Sequence, residues 1–380
     1  MPVRPIARMA LGAVVVSSAL LEAAPLYTIH KIDPVQPTDT SGTGNGVSPN
    51  GVYVTGFSSA SGVNRPLLWT QGGGTQALPP VATSSPTRPF NIPNAVNNNG
   101  VVAGTAASTF FGSSPLPILW KNNTAIPLPL PGSQTLGRAY SLNDAETAVG
   151  SVNGGSLEQA AVFTEGGSNV MTQTMPNGGV LKTAYGINNA GRIVGQALDP
   201  NNAAVTSGFF IDPGDPAATD IGALTGLGHN SAIPFGVSSN GKITGSSSLN
   251  SGSGAMPFLF VEGSGMTQVP LPAGTTTGQG RSVNADGWVV GNSSAATSIP
   301  FLFDGTQSYR LHDLIVNLGS WDLVSGTSNA AFSISDSGVI TGRGLLGGAV
   351  TGYVMVPVPE PTLFGGAMVV LPVLLRRRRV

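Results

Sequence analysis

No cysteine occurs among the 380 residues, and only three histidines do, His30, His229 and His312. Disulfides and thiol chemistry are excluded, and a zinc site is left with almost no ligands. Neither a metal nor a cofactor is expected. Charge is equally scarce. Asp, Glu, Lys and Arg make up 9% of the chain, against roughly 25% in an average soluble domain. The only basic run is Arg376, Arg377, Arg378 and Arg379 at the C-terminus. A nucleic-acid binder needs a basic face spread through its domain, so no such partner is expected. Glycine (53) and proline (30) are abundant instead, with 41% hydrophobic residues and no Gly-X-Y period. That composition excludes both collagen and acidic disorder.

The two ends read as addresses. Arg4 and Arg8 precede an apolar run at 9–21, and small residues near Ala19 or Ala24 offer cleavage points. This is the order of a secretory signal peptide over 1–24. The run is too short to span a bilayer, which takes about 20 apolar residues. At the other end Pro359-Glu360-Pro361 leads into an apolar stretch at 362–375 and then the four arginines. Arginines directly behind an apolar segment stay on the cytoplasmic side while the preceding domain is exported. This arrangement resembles the PEP-CTERM sorting signal of bacterial exported proteins. The resemblance implies a short transmembrane helix used transiently, recognition by a membrane-embedded exosortase, and removal of the tail at 359–380. An ordinary tail anchor is the alternative. The body between the addresses, 25–358, carries 11 basic and 16 acidic residues, a net charge of −5. Without disulfides, its stability outside the cytoplasm must come from a large core.

One pattern fills that body seven times: an Asn- or Ser-rich turn, usually a glycine, a β-branched run and a closing glycine. The closing positions are Gly56, Gly104, Gly150, Gly195, Gly245, Gly291 and Gly342, spaced 48, 46, 45, 50, 46 and 51 residues apart. Such periods belong to propeller blades and other arrays. Asn, Asp and Ser bond to backbone two residues on, and the following glycine accepts positive φ, so each turn predicts a hairpin closed by a bulge. In the third copy Glu146 stands where the others have glycine, which predicts a strained or differently shaped turn.

A second strand follows in each copy and always ends on a large apolar residue: Trp69, Trp120, Phe163, Ile211, Phe260, Phe303 and Met355. These runs are continuously hydrophobic, which implies burial on both faces. A third strand, such as 266–272 or 308–314, and a short run before each turn bring the content to four strands per copy. The expected fold is all-β: a seven-bladed β-propeller over 25–358, with a linear β-solenoid as the other way to stack such strands. The seventh copy runs into the sorting signal before its fourth strand. Residues 26–33 match the segment 309–314 and are expected to pair beside 351–357, closing the ring.

The turns also resemble a named family. YGINNAGRIVG (185–195), RSVNADGWVVG (281–291) and the strand IPFLF (299–303) are similar to the HAF-type extracellular repeat. That resemblance implies an exported, often surface-sorted repeat protein without an established catalytic activity.

Chemistry-bearing residues are thinly scattered. Asp212, Asp215 and Asp220 could form a loop site for a cation or for acid–base work, but a Pro-Gly-Asp turn followed by a strand start explains them as well. His229 and His312 read as loop or edge-strand residues. No G-x-S-x-G motif stands in a strand-to-helix context, and the glycines at 72–74 lack the Lys-Ser/Thr of a phosphate cradle. No catalytic residue is assigned. Two function classes remain, a non-enzymatic binding or structural module and a hydrolase or lyase acting on an extracellular polysaccharide. With no acidic position repeated from copy to copy, the first is favoured.

Overall fold

The computed structural model describes residues 24–81, 87–109, 112–153, 157–202, 205–250 and 252–359. The apolar segments 9–21 and 362–375, Glu360, Pro361 and the arginine run lie outside them. Among the described residues no helix is long and apolar enough to cross a membrane.

Each copy of the repeat folds as an antiparallel meander. In the first, the strands Ser41–Val47, Tyr53–Ala60, Val63–Thr70 and Gly74–Ala77 pair in chain order. Copies three to six form separate four-stranded sheets of the same kind, opening on Leu136–Leu142, Leu181–Ile187, Ser231–Val237 and Thr277–Val283. Copies one and two are joined by a single parallel bridge between Asn64 and Phe90. In the last copy Ala330–Ile334, Ile340–Leu346 and Ala349–Pro357 pair in turn, and Tyr27–Lys31 adds antiparallel to the outer side, Tyr27 opposite Pro357 and Lys31 opposite Tyr353. The first strand of every meander contacts the first strand of the next, and Ala330–Ile334 returns to Ser41–Val47. Sheets radiating from a shared axis in this way define a β-propeller.

The core lies between neighbouring sheets rather than in one centre. Trp120, Ile118 and Val102 of copy two pack with Leu78 and Val81 of copy one, and Phe258 and Ile243 of copy five pack with Phe210 and Ile221 of copy four. The large residues that end the apolar strands are all buried, with Phe163 and Met355 wholly inaccessible. Because each of these strands is covered on both faces, it carries no polar alternation. Burying such a side chain contributes about 1.5–3 kcal/mol.

The turns form a belt of hydrogen bonds from copy to copy. Asn97 accepts from its own turn (Asn99 N, 3.0 Å; Val101 N, 2.9 Å) and donates Nδ2 to Asn143 O of the next copy at 3.1 Å. Asn188 donates likewise to Ser238 O at 2.9 Å. Asp144 Oδ1 accepts from Asn98 N, Asp336 Oδ1 from Ala285 N, and Asp336 N donates to Pro49 O of the first copy. The repeated turn asparagine therefore shapes its own hairpin and ties it to a neighbour.

Glu146 adopts the left-handed conformation, φ +60°, that its glycine counterparts take at +76° to +92°. A side chain there costs about 1–2 kcal/mol. Its ion pair with Lys121, 2.5 Å long and open to solvent, offsets only part of this, since water screens such pairs. Glu146→Gly is expected to stabilise the protein by about 0.5–1 kcal/mol. Urea unfolding of the variant, with an unchanged m-value, checks this; a lowered midpoint would refute it.

Three details differ from the sequence expectation. The segment 308–314 is not one strand: Ser308–Arg310 is followed by a 3₁₀ turn, Leu311–Leu314. Leu311 and Leu314 are both buried, and the three-residue turn puts them on one face, which an extended chain does not. The strand expected at 266–272 spans Gly265–Gln268 and ends before Pro270 and Pro272, which have no N–H for a ladder. The last sheet also gains a two-residue strand, Trp321–Asp322, that the repeat pattern does not contain.

Candidate binding site at the axis

The ladder of the first hairpin skips a residue in every copy two positions before its inner strand ends, and the fourth copy skips Lys182 as well. The residues at the shared position are Asn45, Asn94, Tyr140, Tyr185, Phe235, Arg281 and Phe332. A bulge leaves its extra residue unpaired and re-aims its side chain. All seven line one cavity of about 210 Å³ on the axis, and all seven are half-buried.

The closing glycines make the bulge possible. Gly56, Gly104, Gly150, Gly195, Gly245, Gly291 and Gly342 each pair with the residue just before it. A Cβ at any of them would lie only 1.8–2.2 Å from a carbonyl oxygen of the inner strand. None of the seven has positive φ, so close backbone approach is what demands glycine. The flanks of the bulge are small or proline before it (Gly44, Pro93, Ala139, Ala184, Pro234, Gly280, Ala331) and small after it (Gly46, Ala95, Ser141, Gly186, Gly236, Ser282, Ser333). Crowding near the axis explains the second set: a Cβ on Gly46 would meet Asn94 O of the next inner strand at 2.7 Å. A small residue or proline before a variable one and a small residue after it, just ahead of each turn, is the signal that marks the axial residues in the sequence.

Chemically the ring is uneven. Asn45 Nδ2 donates to Pro93 O and Asn94 Nδ2 to Ala139 O, each at 2.7 Å, so both act as struts between inner strands. The remaining five form an arc. Tyr140 and Tyr185 lie 5.4 Å apart between ring centres, Tyr185 meets Phe235 edge-on at 5.4 Å, and the Arg281 guanidinium sits 4.8 Å over the Phe235 ring. Burial pushes the Tyr185 phenol up to about 12 and raises that of Tyr140, so both stay protonated at neutral pH. Burial also pushes the Arg281 guanidinium below its ordinary value, with Tyr185 acting in the opposite direction.

The residues singled out by sequence do not converge there. Asp212 accepts a two-pronged pair from Arg192 (2.8 and 2.6 Å), and Arg192 also reaches Glu262 at 2.7 Å. Asp215 caps Asp212 N, and Asp220 caps Gly222 N. His229 is buried in a loop with Nδ1 3.3 Å from Ser247 Oγ, and His312 lies in the 3₁₀ turn. Among the described residues no group of His, Asp or Glu is arranged to hold a metal ion.

No family model matches the sequence, and no curated protein matches it significantly. Solved structures do share its fold. An oligogalacturonate lyase in complex with manganese is 12% identical, with 89% of this chain and 97% of that one covered and a TM-score of 0.54. The oligogalacturonate lyase of Vibrio parahaemolyticus is 10% identical, with 88% and 98% covered and a TM-score of 0.52. The β-propeller domain of the Trilobed protease from Pyrococcus furiosus is 11% identical over 71% and 84%, with a TM-score of 0.47. For the two lyases, at these identities, the likeness is one of fold.

Proposed function

We propose that the protein is an exported β-propeller of seven blades, closed by its N-terminal strand, that serves at the cell surface or in the extracellular matrix as a non-enzymatic binding module. The observation that carries this reading is the axial ring, in which seven bulged side chains on mutually packed inner strands enclose one cavity. Sites on rigid strands hold a ligand with less loss of conformational freedom than sites on loops. The pairing of Tyr27–Lys31 with Ala349–Pro357, and the packing of the last copy on the first, support the closed ring. The resemblance to HAF-type repeats supports the surface role.

A polysaccharide lyase or hydrolase is the second reading, drawn from the fold shared with the two oligogalacturonate lyases. Titration of the protein against extracellular polysaccharides, with turnover followed in parallel, separates the two. Saturable binding without product is expected; product formation would favour the enzyme, and neither binding nor product would refute both.

Export and sorting are proposed from the terminal sequences, with the exosortase as processing partner. Mass spectrometry of the surface form is expected to find the chain ending near Pro359-Glu360-Pro361. Recovery of Arg376 to Arg379 on that form would sink the sorting reading.

A further inference from the structure

Arg281 is the one cation among the described residues that line the axial cavity. Its Nε is buried without a hydrogen-bond partner, and none of the salt bridges among the described residues includes it. A guanidinium withdrawn from water and left without a carboxylate is unfavourable, and stacking on Phe235 offsets this only in part. The two acids on the cavity wall stand on turns and are already engaged: Asp144 accepts from Asn98 and Asn189, and Asp336 from Ala285 N. Neither acid pairs with Arg281, which leaves its guanidinium as the one positive group facing the cavity. The planar donors of an arginine match a carboxylate in a two-pronged geometry that few other groups offer.

The rest of the wall suits the face of a single ring. Tyr140, Tyr185, Phe235 and Phe332 supply aromatic surface. Tyr185 Oη accepts from Gln196 Nε2 at 3.1 Å and is also hydrogen-bonded to Thr183, which fixes the ring in place. The volume of about 210 Å³ is below that of a drug-sized pocket, and limits the guest to one ring with its substituents.

The geometry points to a site for a carboxylate carried on a single six-membered ring, the chemistry shared by a uronic acid and an arene carboxylate. Arg281 takes the carboxylate, and the aromatic arc takes the ring. This rests on the binding-module reading above and names the ligand class that the module would recognise.

Titration calorimetry of the full chain with galacturonate, galacturonate methyl ester, benzoate and methyl benzoate tests it. At least one acid is expected to bind saturably, with its uncharged ester at least tenfold weaker. Whichever acid binds tighter identifies the source of the carboxylate. Arg281→Gln is expected to lower the affinity for that acid at least tenfold while keeping the parent melting temperature. Should that variant not fold, the comparison of acid with ester on the unaltered protein decides. Equal binding of acid and ester, binding of neither acid, or full affinity in a folded Arg281→Gln variant would overturn the site. A polysaccharide held equally well by parent and variant would overturn it too, while leaving the binding-module reading in place.

Discussion

Gly291→Val is expected to destabilise the protein by several kcal/mol, enough to leave little folded chain at 37 °C. A Cβ at Gly291 would stand 1.9 Å from Gln279 O, 2.9 Å from its carbonyl carbon and 3.0 Å from Gly280 Cα. All three are backbone atoms of the inner strand, so no side chain can swing aside to make room. Relief requires moving Thr277–Val283, which would disturb the bulge at Arg281 and the contacts of that strand with both neighbouring inner strands. Overpacking a well-filled interior ordinarily costs about 1–3 kcal/mol, and a clash with fixed backbone lies at or above that range. Gly195→Val should behave the same way, with its Cβ 2.0 Å from Thr183 O. Gly226→Ala is the control, since Gly226 is exposed, has open space around its Cβ position and has no positive φ. Its melting temperature should match the parent's. Parent-like melting of both valine variants would refute the backbone-contact account of the closing glycines.

The second large effect is expected on deleting residues 26–33. The deletion exposes the edge of Ala349–Pro357 from Gly352 onward and removes Tyr27, Ile29 and Ile32, which are 0, 4 and 4% exposed. At about 1.5–3 kcal/mol per buried side chain, the loss approaches the 5–15 kcal/mol by which whole domains are stable. The segment is also held from its other side. Val316 N donates to Tyr27 O at 2.9 Å, and Asn317 brackets Ile29 by accepting from its N–H and donating to its carbonyl. A bare edge of that length is a template for another chain, so the deleted protein should both melt earlier and form oligomers. Size-exclusion chromatography with thermal unfolding reads out both. A monomer with the parent melting temperature would show that the N-terminal strand does not close the ring.

The sequence makes the array legible and the axial residues obscure, and the reason is physical. Gly56 through Gly342 recur because a backbone oxygen occupies the place of the side chain, a constraint that no copy can relax. Trp69, Trp120 and Phe163 recur as large apolar residues because each fills a layer between two sheets. The bulge position has no such constraint. Its occupants run from asparagine to tyrosine, phenylalanine and arginine, and a period defined by residue type passes over them. Their flanks are the conserved part, and small residues in a glycine-rich chain attract little notice. The inter-copy half of the turn chemistry was hidden for another reason. That Asn97 bonds to its own turn follows from local sequence, but that Nδ2 reaches Asn143 O depends on the spacing of two sheets. His312 marks the opposite case: the repeat pattern reads 308–314 as a third strand, and the burial of Leu311 with Leu314 requires a tighter turn.

The bulge separates what builds the barrel of inner strands from what faces its interior. In each copy the scaffold depends on a glycine, a small residue or proline before the bulge, a small residue after it and backbone hydrogen bonds, while the one residue between the flanks makes no ladder contact. Apart from the struts Asn45 and Asn94, five positions can therefore vary with little consequence for the ladder, like sockets of one design that accept different fittings. A lineage carrying this ring could exchange an arginine for an acid, or a tyrosine for an asparagine, and change what the axis recognises while the layers of the core stay as they are.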